Sequence, residues 1–179
     1  MEKIVYNDEV FSEFISEARI QSRILEMGEQ ITKDYQGKCP IFVGVLNGAC
    51  IFFGDLLKSY SGECEVDFAK VSSYGSSKYS SGSIKVLKDI DSIVNERDLI
   101  VVEDIVDTGL SLKFILNLLG QKNPSSIKVA TLLFKPAALK YDIKIDYTGF
   151  EIENKFVIGY GMDLAQKYRN LRAIYALDK

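Results

Sequence analysis

The 179-residue chain contains no histidine. Ser-His-Asp and Cys-His catalysis are therefore excluded, as is any histidine-ligated metal. Acid–base chemistry near neutral pH falls to Asp, Glu, Lys or Tyr. Cysteine is scarce. Cys39, Cys50 and Cys64 are odd in number and lack metal-type spacing, which points to reduced thiols in an intracellular, cytoplasmic protein. No apolar run reaches transmembrane length, and the stretch from Met1 to Glu9 lacks the apolar core of a secretory signal. Positive charge is not in excess either. With a net charge of −3 and a pI of about 5.1, neither nucleic acid nor a membrane is an expected partner. The familiar nucleotide motifs are missing too. No G-x-x-x-x-G-K-[ST] occurs, and the stretch from Gly159 to Leu164 lacks the third glycine of a dinucleotide fingerprint.

What remains is an ordinary globular composition, 47% hydrophobic and 26% charged, long enough to bury the core of a single domain over residues 1–179. Asn7 or Asp8 is expected to cap a long N-terminal helix whose apolar side carries Val10, Phe11, Phe14, Ile15, Ala18, Ile24, Leu25 and Ile31. Buried strands are expected over 40–46, 65–72, 84–87, 99–104 and 127–134, with shorter ones over 145–150 and 155–159. Helices are expected over 50–60 and 110–119. The segment from Ser73 to Ser83, rich in Ser, Gly and Tyr, reads as a linker between strands or as a lid. Alternating strands and helices imply an α/β fold with a doubly wound parallel sheet, in which ligands sit beyond the carboxyl ends of the strands. The distinctive residues collect there: Asn47 and Gly48, Tyr74 and Gly75, Asp104 and Asp107, and Lys135.

The densest information lies between Leu99 and Leu112. An apolar run ends in Glu103-Asp104; Asp107, Thr108 and Gly109 follow, and a helix opens near Leu110. Free backbone N–H groups at a helix start favour an anion, and the Thr108 and Ser111 hydroxyls add donors. Gly109 lets backbone approach a ligand closely. Two adjacent carboxylates beside an anion site make sense when a cation sits there as well. Mg²⁺ suits oxygen ligands shared with a substrate. On the residues alone, other readings stay open. The acidic strand end could cap the next helix, Asp107 could simply favour a helix dipole, Lys135 could snorkel, Phe156 could be a core aromatic, and Asp163 and Arg169 could be solvated charges.

The stretch from Val101 to Ser111 resembles the phosphoribosyl pyrophosphate signature of the type I phosphoribosyltransferases. The rest resembles the hypoxanthine(-guanine) branch of that family. Leu46-Asn47-Gly48-Ala49 looks like its pyrophosphate loop and Ser73-Tyr74-Gly75 like the start of its lid. Leu132–Lys135 and Lys155–Asp163 look like its purine-binding segments, followed by Tyr168-Arg169-Asn170-Leu171. The resemblance implies a Rossmann-like core with a small hood built from the N- and C-terminal segments. It implies transfer of ribose 5-phosphate from phosphoribosyl pyrophosphate to N9 of a 6-oxopurine, with Mg²⁺, by a homodimer or homotetramer. Asp107 would be the catalytic base. The 5-phosphate would lie on Asp107, Thr108, Gly109, Leu110, Ser111 and Leu112. Glu103 and Asp104 would hold the ribose hydroxyls and metal, Asp163 a second metal. Asn47, Gly48 and Arg169 would meet pyrophosphate. Lys135, Phe156, Val157 and Asp163 would line the purine site, with Ser73 and Tyr74 in the lid. The resemblance also implies a cis peptide at Leu46–Asn47. Family members often carry Lys where Asn47 stands, and some where Leu110 stands, so this chain offers fewer cations to its phosphates.

Overall fold

The computed structural model describes residues 3–73 and 84–178. In chain order the elements are β1 (Lys3–Tyr6), β2 (Glu9–Ile15), α1 (Glu17–Asp34), β3 (Ile41–Leu46), α2 (Cys50–Ser59), β4 (Glu65–Ser73), β5 (Ile84–Lys88), β6 (Asp98–Val106), α3 (Leu110–Gly120), β7 (Ser126–Phe134), β8 (Tyr147–Glu151), β9 (Val157–Ile158) and β10 (Ile174–Leu177). Six strands form the main sheet in the order β5-β4-β3-β6-β7-β8. All its pairings are parallel except that of β5 with β4.

Strand β6 lies near the centre because its side chains are apolar on both faces. Leu99, Ile100, Val101 and Val102 are all fully buried. The two faces serve different helices. Ile100 and Val102 join Phe42 of β3 under Ile20, Ile24, Met27 and Ile31 of α1 and Phe52, Phe53 and Leu56 of α2. Leu99 and Val101 join Ile41, Val43 and Val45 under Leu112, Ile115 and Leu119 of α3. Helices on both faces make the sheet doubly wound, as expected. Because α2 follows β3 and α3 follows β6 on opposite faces, the crevice between these neighbouring strands is the topological switch point.

A second, four-stranded sheet, β1-β2-β10-β9, joins segments from near the two ends of the sequence into the expected hood. Its own core contains Phe11, Ile158, Ala173 and Tyr175. Here the sequence reading needs correction. Asn7 and Asp8 do not cap a helix; they form the turn of the β1–β2 hairpin, with Tyr6 opposite Glu9. Asn7 has φ 46°, a left-handed conformation that Asn tolerates better than most residues. Helix α1 begins only at Glu17, where Ser16 accepts a hydrogen bond from the Arg19 N–H. Leu25, expected on the apolar side, is exposed. Among the described residues, no helix is long and apolar enough to cross a membrane.

Candidate active site

The site forms where β3, β6 and β7 end beneath the hood. Strand β6 continues past Val102 through the acidic pair to Val106, so Glu103 and Asp104 face opposite ways. Glu103 lines a small cavity of about 110 Å³ with residues 105–112. Asp104 lines a second, of about 220 Å³, with Ile105, Asp107, Lys135, Phe156, Val157, Met162 and Asp163. Ile105 and Asp107 border both, so the two cavities are halves of one site.

The small cavity is an anion cradle. Gly109 sits at the start of α3 with φ 81°, and a Cβ there would crowd Leu139 and Ile143. Glycine therefore allows the turn that aims the first N–H groups of α3 at the cavity. Thr108 and Ser111 are exposed at its rim. The Thr108 hydroxyl accepts from the Leu110 N–H at 3.4 Å, while the Thr108 carbonyl accepts from the Lys140 N–H at 3.1 Å.

The larger cavity pairs a cation with a carboxylate. Lys135 follows β7, its backbone N–H donating to the Val106 carbonyl. The residue is only 5% exposed, and its Nζ donates to Asp107 Oδ2 at 2.9 Å. A buried ammonium requires such a partner. Phe156 lines the same cavity and is 49% exposed although it is large and apolar. Phe11 of the hood packs beside it at 6.2 Å between ring centroids. Val157 is buried in β9.

Electrostatics set the acidic pair apart. Burial, reinforced by the neighbouring Asp104 charge, pushes the Glu103 carboxyl well above its usual range. Burial also pushes Asp104 up, to about 6, against backbone hydrogen bonds and the charge of Arg169. Among the described residues no cation forms an ion pair with Glu103 or Asp104, and no three metal-ligating side chains converge. Two adjacent, under-compensated carboxylates suit divalent cations that take their remaining ligands from a substrate.

The β3 turn is bound closely to the hood. Asn47 is exposed and the Leu46–Asn47 peptide is cis. A Cβ on Gly48 would overlap the Asp104 carboxylate, and a Cβ on Gly161 (φ 101°) would overlap the Gly48 carbonyl. Asp104, Gly48 and Gly161 thus stack with no room for a methyl group. Arg169 and Asp163, expected on separate ligand groups, form an ion pair at 2.6 Å. Arg169 also donates to the Gly161 carbonyl at 2.8 Å. Ser73 ends β4, whereas Tyr74 lies outside the described residues.

The structure therefore gathers Glu103, Asp104, Asp107–Leu112, Lys135, Phe156, Val157 and Asp163 around one double cavity, with Asn47, Gly48 and Arg169 at its border. Sequence reasoning missed Ile105 and Met162 as lining residues and Gly161 as the contact to Gly48. Two glycines at positions 159 and 161 were the available signal for the last.

The phosphoribosyl transferase domain family matches residues 16–165. A hypoxanthine-guanine phosphoribosyltransferase of Bacillus subtilis is 47% identical over 163 residues, covering 91% of each chain. One of Mycobacterium bovis is 42% identical, covering 97% of this chain and 89% of its relative. A crystal structure of a hypoxanthine phosphoribosyltransferase from Staphylococcus aureus superposes with a TM-score of 0.89 at 40% identity, covering 93% of this chain and 91% of the other. With likeness over nine-tenths of the chain, the chain belongs to the phosphoribosyl transferase domain family and, within it, to the hypoxanthine-guanine phosphoribosyltransferases.

Proposed function

We propose that the chain, as one phosphoribosyltransferase domain over residues 1–179, transfers ribose 5-phosphate from phosphoribosyl pyrophosphate to N9 of hypoxanthine or guanine. The products are IMP or GMP and pyrophosphate, an activity of purine salvage. The observation that carries this reading is the Asp107–Lys135 pair, which stands between an anion cradle and an aromatic-walled cavity.

The 5-phosphate lies on the N–H groups of residues 107–112, with the Thr108 and Ser111 hydroxyls donating. The purine lies against Phe156, its 6-oxo oxygen accepting from Lys135 Nζ and its edge meeting the Val157 backbone. The bond from N9 to C1 of the ribose forms as the bond from C1 to the pyrophosphate oxygen breaks. The transition state is oxocarbenium-like, and the Glu103 and Asp104 carboxylates, which hold the ribose hydroxyls, stabilise its positive charge. Asp107 accepts the proton that the purine ring gives up. Asn47, Gly48 and Arg169 meet the leaving pyrophosphate. Glu103 and Asp104 would hold one Mg²⁺ and Asp163 a second, and the metal would supply charge neutralisation for the pyrophosphate. Ser73 and Tyr74 belong to the lid of this reading.

The enzyme is cytoplasmic in this reading and self-associates as a homodimer or homotetramer. The deciding experiment supplies phosphoribosyl pyrophosphate with hypoxanthine, guanine, xanthine, adenine or uracil and follows pyrophosphate release. Turnover with hypoxanthine or guanine that disappears in EDTA sustains the proposal. Turnover with uracil alone, or with no base, overturns it.

A further inference from the structure

We infer that Tyr160 is a positioning residue for the pyrophosphate side of the site, clamping the hood loop 159–163 to the helix that follows the β3 turn. The inference rests on the reading of Asn47 and Gly48 as the pyrophosphate loop. Tyr160 lies beyond the cavity lining and touches no part of either cavity. It is 3% exposed, and its hydroxyl donates to the Asp55 carboxylate. Gln21 of α1 donates to both groups, at 3.0 Å to Asp55 Oδ2 and 3.1 Å to the Tyr160 oxygen. Lys58 pairs with the other Asp55 oxygen at 2.5 Å. Asp55 lies in α2, whose first residue, Cys50, directly follows Asn47-Gly48-Ala49.

The backbone around Tyr160 explains why a clamp is needed. Gly159, Tyr160 and Gly161 are three successive left-handed residues, with φ of 95°, 51° and 101°. Tyrosine in that conformation is unfavourable and persists where its surroundings hold it. The loop is tied from outside by Tyr160 N–H to the Leu171 carbonyl and Gly161 N–H to the Arg169 carbonyl. Tyr160 ties it from inside. The same loop sets Gly161 on the Gly48 carbonyl and leads into Asp163. Two contacts, Gly161 on Gly48 and Tyr160 on Asp55, therefore fix one loop to one turn-and-helix unit. Phenylalanine would fill the same space, so the hydroxyl is what the clamp adds.

The test is Tyr160→Phe in the full chain, read by kinetics and by hydrogen exchange. The KM for phosphoribosyl pyrophosphate is expected to rise roughly tenfold, the scale of one lost hydrogen bond to a charged group, while that for hypoxanthine stays within about twofold. Exchange at the amides of residues 159–162 is expected to quicken. Asp55→Asn, which keeps an acceptor for the hydroxyl, is expected to retain most of the wild-type KM. A lower Tm with both KM values unchanged, or an equal rise in both, overturns the inference. If the wild-type chain transfers no phosphoribosyl group, the functional reading fails on its own account. Exchange then judges the clamp: faster rates in the variant sustain it, and unchanged rates overturn it.

Discussion

Asp107 and Lys135 are each other's partners, and this couples their substitutions. Asp107→Asn is expected to keep the fold and substrate binding while lowering kcat by about 10² or more, since proton transfer by a placed carboxylate is lost. Steady-state turnover beside an unchanged circular dichroism spectrum checks this. Near-wild-type kcat would remove Asp107 from the proposed role as base. Lys135→Ala is expected to raise the KM of the purine far more than that of phosphoribosyl pyrophosphate. The placement of both residues just past strand ends was legible in the sequence, because a carboxylate before Thr-Gly and a lysine ending an apolar strand are local patterns. Ile105 and Met162 were not legible, because an apolar residue lining a cavity looks in sequence like any core residue.

Elements show the same division. Strand β6 and helix α3 were read nearly to their ends, since a fully apolar strand and a helix opened by glycine leave little ambiguity. Strand β2 was misread as helix. A bulge against β10, where Glu13 and Ile15 pair with consecutive residues, leaves Phe14 extra. Burial then falls on Phe11 and Ile15, four residues apart, a spacing that a helix shares. At this scale Gly48→Ala is expected to be folded but nearly inactive, since its methyl displaces Asp104 or lifts the hood loop from β3. Assay and Tm together would show it, and retained activity would mean that the stack yields. Asp67 joins β4 to the stretch before β6, accepting from the Asp91 and Ser92 N–H groups at 2.8 and 2.7 Å. Asp67→Ala leaves those donors unpaired and is expected to cost about 2–3 kcal/mol in urea unfolding.

For the molecule as a whole, the carboxylates divide by sign. Burial pushes Asp67 up, but hydrogen bonds from Ser92, Phe68 and Asp91 outweigh it and hold the group well below its usual 3.8. Asp34 is lowered chiefly by the Tyr147 hydroxyl, and Asp98 by Ser126. A depressed carboxylate gives stability that is present above its unfolded value and lost as pH falls through its folded one. Glu103 and Asp104 run the other way. Raised in the fold, they favour it at acid pH and lose that contribution as pH rises, Asp104 near pH 6. Tm is therefore expected to fall steeply below about pH 4 and to decline more gently as pH rises from there through about 6. A Tm that rises steadily from pH 5 to 8 would contradict the second half. None of this was legible in the sequence, where every Asp is alike until the fold supplies its partners.

The Asp107–Lys135 pair has a consequence for recognition. The two side chains set an acceptor and a donor side by side along one wall of the cavity. Together they form the complement of a ring N–H next to a carbonyl, which is the edge a 6-oxopurine presents. Adenine would turn its exocyclic amine toward an ammonium that has nothing to give it but another proton, a mismatch on the scale of roughly 10⁴ in kcat/KM. A tight competitive ligand need not be a purine at all. It needs only a flat ring for Phe156 and that two-letter hydrogen-bond code along one side.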